Sequence, residues 1–244
     1  MPSGDMQDTL GILIIPGMTE QRDDYSPIIK CLQEEGYVCS FLEPDGYGMC
    51  GEDTDWKNWL RQSRDAVLGM KKHFGPVYAL GHSAGALLSL ILGEEHLVDG
   101  VVSLAAPLVL RKESLRPVKR RLFSQNRECE SIESRKESSC HRYIFSHRRI
   151  RNVRRLGMMT QMNLGQLRCP VLIAQGDEDP FSEWESLERI REGCQSVYMQ
   201  QVTPDGYLDL KLETEGQMLK ERLLDFLSES NEMRRSAETE PIMF

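Results

Sequence analysis

One serine in this chain stands where it could act as a nucleophile. Gly81-His82-Ser83-Ala84-Gly85 has the pattern G-x-S-x-G. The apolar run Val77-Tyr78-Ala79-Leu80 precedes it, and Ala86-Leu87-Leu88-Ser89-Leu90-Ile91-Leu92, which patterns as a helix, follows it. A serine on so tight a strand-to-helix turn needs glycine two residues to either side, where side chains would collide. The start of the helix adds backbone N–H groups and a positive dipole end beside the hydroxyl. A hydroxyl is nevertheless a poor nucleophile until a base of suitable pKa, most often an imidazole, takes its proton. The five histidines are His73, His82, His96, His141 and His147, and none lies beyond position 147.

The elements that position this serine follow from the alternation of apolar runs and helical patterns. Strands are expected over 11–15, 37–42, 77–80, 101–106, 170–175 and 196–202. Helices are expected over 25–35, from 53–55 to about 73, after the serine, over 183–192 and over 213–227. Strands separated by helices imply a parallel sheet covered on both faces. The tail over 230–244 is polar and is expected to be disordered.

With 244 residues, 40% hydrophobic and 28% charged, the chain suits one soluble domain carrying a small insertion. No apolar run reaches the ~20 residues of a membrane span, and Met1-Pro2-Ser3-Gly4-Asp5 has neither the basic nor the apolar part of a secretory signal. Seven scattered cysteines without a C-x-x-C spacing predict a reducing, cytoplasmic setting, no disulfide framework and no metal site. No cofactor is expected.

The net charge of −8 hides an asymmetry: residues 111–155 hold 15 Lys and Arg against 5 Asp and Glu. Arg116, Lys119, Arg120 and Arg121 form one basic group; Arg148, Arg149, Arg151, Arg154 and Arg155 form another. Such groups near a pocket would attract an anionic small-molecule substrate. Alternatively they are a solvated face or dock on the acidic remainder. Phe123, Tyr143 and Phe145 make no stacking motif, so nucleic acid is not an expected partner. Nothing here fixes an oligomeric state.

Taken together, these residues resemble the α/β-hydrolase superfamily, and within it the small esterase and monoacylglycerol-lipase-like members, over nearly the whole span 11–227. The likeness rests on Ile14-Ile15-Pro16-Gly17-Met18-Thr19, on the serine turn, on 169–180 with its Gly176-Asp177-Glu178-Asp179-Pro180, and on the amphipathic last helix. It implies a mostly parallel sheet of about six strands flanked by helices. The core would comprise 10–107 and 168–229, with a basic cap or lid over 108–167. It implies Ser83 as nucleophile, the backbone N–H groups of Met18 and Ala84 as oxyanion donors, and Asp179 as triad acid, with Asp177 the alternative.

The departure is the triad histidine. The family carries it in a G-H pair after the final strand, where this chain reads Pro204-Asp205-Gly206-Tyr207-Leu208. Tyr207, or Leu208 in a one-residue shift, takes its place. Two further family histidines are exchanged, giving Pro16-Gly17 in the oxyanion loop and Gly46-Tyr47-Gly48 after the second strand. A cap histidine (His141 or His147) or Asp179 could supply the base, whereas His82 reads as a packed structural residue. Three functions remain open: a serine esterase or thioesterase; a repurposed cyclase, lyase or isomerase using Ser83, Asp179 and Tyr207; and a non-catalytic ligand binder.

Overall fold

The computed structural model describes residues 9–18, 20–46, 55–112, 147–196, 198–202, 208, 210 and 217–239. Six strands form one parallel sheet: β1 (Gly11–Ile15), β2 (Val38–Phe41), β3 (Val77–His82), β4 (Gly100–Leu104), β5 (Val171–Ala174) and β6 (Met199–Val202). Their order across the sheet is β2-β1-β3-β4-β5-β6. The four central strands are buried residue by residue, while β2 and β6 at the edges are only partly covered. Unbroken burial is what helices on both faces demand, and it explains why the central strands are continuous Val, Ile, Leu and Ala runs.

One face is covered by α1 (Ser26–Glu34) and α6 (Gln217–Thr239). Tyr25, Ile28 and Leu32 pack there with Leu219, Leu223, Phe226 and Leu227 on the outward side chains of β1, β3, β4 and β5. The other face carries α2 (Trp56–Met70), α3 (Ala84–Glu94), α4 (His147–Asn163) and α5 (Glu185–Gly193), built around Trp59, Leu87, Ile91, Leu156 and Ile190. Proline in the first turn opens α1, a position whose N–H has no helical partner in any case. Asp55 caps α2 by accepting from the Lys57 N–H at 3.3 Å. The chain leaves α1 through Gly36 at φ +86°, a conformation glycine adopts freely.

Two expectations are corrected. The tail is not disordered from residue 230, because α6 runs on to Thr239. Ser230 is fully buried; its hydroxyl donates to the Phe226 carbonyl at 2.5 Å and accepts from the Tyr78 hydroxyl at 3.1 Å. That tie to β3 gives the otherwise polar last turns a fixed side. The segment expected as a cap also divides. Residues 113–146 lie outside the described residues, but α4 belongs to the layer covering the sheet. It packs on α3, α2 and α5 through a stripe of Asn152, Val153, Leu156, Gly157 and Thr160.

Candidate functional site

β3 and α3 meet at Ser83, whose backbone lies at φ 53°, ψ −118°. For a non-glycine residue this is left-handed, strained backbone that costs about 1–3 kcal/mol. Packing holds it there. The Ser83 N–H donates to the Leu104 carbonyl at 2.8 Å, and the Ser83 carbonyl accepts from the Ala86 N–H at 3.0 Å. A Cβ on Gly81 would come within 2.1 Å of the Gly85 carbonyl oxygen; one on Gly85 would lie 2.1 Å from the oxygen of Ile15 and 2.6 Å from that of Pro16. Only hydrogen fits at either position. The close approach at Gly85 brings the end of β1 against the N-terminus of α3, so the loop carrying Met18 and the first N–H of the helix, Ala84, share one end of the sheet. Both Met18 and Ala84 are buried. Among the described residues neither of their N–H groups makes a hydrogen bond.

The loop after β1 is anchored by residues that the pattern of motifs did not single out. Glu20 folds back so that its Oε2 accepts from the Gly17 N–H at 2.6 Å and from the Tyr25 hydroxyl. The other oxygen, Oε1, lies 2.6 Å from His82 Nδ1. Among the described residues neither ring nitrogen has any other hydrogen-bond partner. The contact is an ion pair when the imidazole is protonated. Burial pulls the imidazole down, but the Glu20 carboxylate, and after it Asp179, carry it above its ordinary value. Burial likewise opposes the Glu20 charge, yet His82, Tyr25 and the Gly17 N–H hold that carboxyl at about 2. His82 is buried and tied through Glu20 to the β1 loop. A glutamate three residues past a Pro-Gly turn, with a histidine beside the serine, was the signal for this pair.

Asp179 is buried and Asp177 exposed. Asp179 Oδ1 accepts from the N–H groups of Phe181 and Ser182, at 2.8 and 2.6 Å. The Ser182 hydroxyl, also buried, donates to the Ala106 carbonyl at 3.0 Å, and Leu110 bridges Ser182 across an isolated antiparallel pair. The loop after β5 is thereby laced to the exit of β4, beside Ser83. Asp179 also lies close enough to His82 for its carboxylate to act on the imidazole.

Among the described residues, His73 and His96 lie far from this point. His96 follows α3, an eleven-residue helix, and so lies about 17 Å along it from Ser83. His73 precedes β3, whose far end carries the serine about 20 Å away. His147 is exposed at the start of α4. His141 and Tyr207, with its neighbours Asp205 and Gly206, lie outside the described residues, as do Arg116, Lys119, Arg120 and Arg121; Leu208 is fully buried. Of the second basic group, Arg149 is buried and donates to the Gly46 carbonyl at 3.1 Å, whereas Arg148, Arg151, Arg154 and Arg155 face outward. Among the described residues no group of His, Cys, Asp and Glu is placed to hold a metal ion. No helix there is long and apolar enough to cross a membrane.

The chain is similar to several known proteins. The profile of the serine aminopeptidase S33 family matches residues 9–127, which include the β1 loop and the serine turn. A monoacylglycerol lipase of Bacillus sp. (strain H-257) is 23% identical over 229 residues, 90% of each chain. A carboxylesterase of Bacillus subtilis (strain 168) is 27% identical over 108 residues, 43% of this chain and 44% of that enzyme. Among solved structures, a metagenome-derived lipolytic enzyme superposes with a TM-score of 0.71 at 18% identity, covering 90% of this chain and 94% of that one. A soluble variant of the Saccharomyces cerevisiae monoglyceride lipase gives 0.69 at 15%, covering 91% and 87%. The chain has the α/β-hydrolase fold and is similar to esterases and monoacylglycerol lipases.

Proposed function

We propose that the protein is a serine esterase acting on a small acyl ester of lipid-like character, through a triad that lacks its usual imidazole. Ser83 attacks the ester carbonyl, the N–H groups of Met18 and Ala84 receive the oxyanion, and Asp179 is the acid of the site. The observation that carries this reading is the strained Ser83 backbone at the N-terminus of α3, where the close approach at Gly85 brings the end of β1 and its loop to the same end of the sheet. Unspent donors fixed before the substrate arrives are the largest single contribution to acyl-transfer catalysis. The Glu20–His82 pair supports it by holding Gly17, and with it Met18, in place. The Bacillus relative's monoacylglycerol substrate suggests the lipid-like ester.

The missing histidine sets the expected rate. In a serine protease, loss of the triad histidine costs about 10⁶ in turnover, and an oxyanion hole with binding alone leaves roughly 10³–10⁴ over water. Tyr207, in the family's histidine position, is a weak base at neutral pH, so proton removal falls to Asp179 directly or through water. A fluorophosphonate probe should label the wild type slowly and spare Ser83→Ala; absence of labelling under conditions that modify an ordinary esterase would overturn the reading. Tyr207→His should raise ester cleavage by about 10²-fold or more, the usual worth of a general base.

A second reading keeps the same pocket for proton handling without an acyl-enzyme, as in a cyclase, lyase or isomerase. The sequence favours it in one respect, having no histidine after position 147. Turnover that survives Ser83→Ala but is lost in Asp179→Asn would select it.

A further inference from the structure

The outward face of α4 carries Arg148, Arg151, Arg154 and Arg155, with Met158 and Met162 continuing the same row. All four arginines are exposed, and the methionines are 61% and 82% exposed. The row spans about 21 Å at the helical rise. Among the described residues none of the four guanidinium groups forms a hydrogen bond or ion pair. No acid of the neighbouring helices pairs with them among the described residues: on α5, Glu185 is paired with Arg189 and Glu192 with Arg191, while the exposed Glu188 forms no ion pair, and on α2 Asp65 is paired with Arg61. The sequence sharpens the asymmetry, since no Asp or Glu occurs between Glu137 and Asp177, in a chain whose net charge is −8.

We propose that this face docks the protein on an anionic lipid surface. Four unpaired charges along one straight helix, on a body that is otherwise acidic, give the molecule a charge asymmetry that orients it against a negatively charged plane. Arginines attract the phosphate and carboxylate headgroups, and the two flexible, exposed methionine side chains reach into the apolar edge of the layer. A nucleic acid matches the face less well: α4 presents no aromatic side chain on which a base could stack. The inner stripe of α4 stays in the protein core, so docking requires no rearrangement of the helix. This surface does not depend on the esterase reading.

The test is co-sedimentation of the full chain with vesicles of phosphatidylcholine alone or mixed with phosphatidylglycerol. Binding is expected to the mixed vesicles only, and to fall as salt shortens the screening length below its value of about 8 Å near physiological ionic strength. Each arginine removed should weaken binding about five-fold. The double variants R148Q/R151Q and R154Q/R155Q, whose changes are confined to exposed side chains, should each lose about 25-fold on that basis, and the quadruple variant should not sediment. Met158→Gln with Met162→Gln should weaken binding at every salt concentration. Equal sedimentation of wild type and both double variants would overturn the proposal. So would equal binding to neutral vesicles, or displacement from mixed vesicles by stoichiometric duplex DNA or polyglutamate, which would assign the face to a different polyanion.

Discussion

Helices α3 and α4 lie side by side in one layer, yet they are held there in opposite ways. All eleven residues of α3 are buried, and its N-terminus presses backbone against backbone at Gly81 and Gly85. α4 buries only the stripe of Asn152, Val153, Leu156, Gly157 and Thr160, with Arg149, and leaves arginines and methionines outside. Where every side of an element is contacted, each residue type is dictated and a substitution meets backbone. Where one stripe is contacted, the outer face is free to take on a different task. The difference is steep enough to measure.

The largest effect is expected at the serine turn. Gly85→Ala places a methyl 2.1 Å from the Ile15 carbonyl oxygen, and Gly81→Ala one at the same distance from that of Gly85. Neither neighbour is a flexible side chain that can swing aside. Each substitution should cost more than about 4 kcal/mol, at the extreme of single-residue effects, and urea denaturation or simple loss of soluble protein will show it. A mild shift in midpoint for either variant would mean that the turn is looser than the geometry requires.

Next in size is the pair beneath the serine. Glu20→Ala leaves the His82 imidazole buried without the carboxylate beside it and removes the shorter of the two hydrogen bonds of the Gly17 N–H, leaving the one to the Tyr25 hydroxyl at 3.3 Å. Breaking such a pair costs about 3–5 kcal/mol. The sign with pH follows from Glu20, whose folded value of about 2 lies below that of a free carboxyl. Its contribution is complete above the free-carboxyl range and is lost as pH falls toward 2. Glu20→Ala should therefore flatten the acid limb of a stability-versus-pH curve.

Much of this contrast could be read from the sequence, and the part that could not has a physical cause. The serine turn and the six strands announce themselves because glycine and continuous apolar runs leave few alternatives. Glu20 and Tyr25 were harder to read: their partners are three to sixty-two positions away, and the glutamate after the Pro-Gly turn and the histidine beside the serine are a signal only once the fold brings them together at the sheet end. α4 misled in the opposite direction. Seven of its seventeen residues are polar or charged on the outer face, which disguises a core-layer helix as a surface lid. The last turns of α6 likewise look solvated because one buried serine, Ser230, is all that fixes them to β3.

A smaller effect separates the two ends of α3 itself. Glu94, in the last turn, is 6% exposed and both carboxylate oxygens lack a hydrogen bond among the described residues. Burial first, and the adjacent Glu95 second, push it up to about 8. An acid whose folded pKa is raised is fully tolerated while protonated. Between its free value near 4.3 and about 8 the unfolded chain gives up its proton first, so stability falls as pH rises through that window. Glu94→Gln should remove this decline: thermal midpoints of the two proteins should coincide near pH 4 and diverge, with the variant higher, by pH 8. Parallel curves would show that the carboxylate is ionised and solvated in the native protein.

Gly157 on α4 gives the smallest expected change and the clearest contrast with Gly85. Both glycines are buried in helices of the same layer, but a Cβ on Gly157 would meet only ordinary contacts, 3.4 Å from the Leu108 carbonyl oxygen and 3.6 Å from that of Pro107. No positive φ demands glycine there. Replacing an interior helical glycine by alanine then removes backbone freedom from the unfolded chain and adds helix propensity, together worth up to about 1 kcal/mol. Gly157→Ala should raise the thermal midpoint by a few degrees at most, as calorimetry will read. If it instead destabilised the protein as Gly85→Ala is expected to, α4 would be clamped backbone to backbone like α3, and its outer face could not vary independently of its packing.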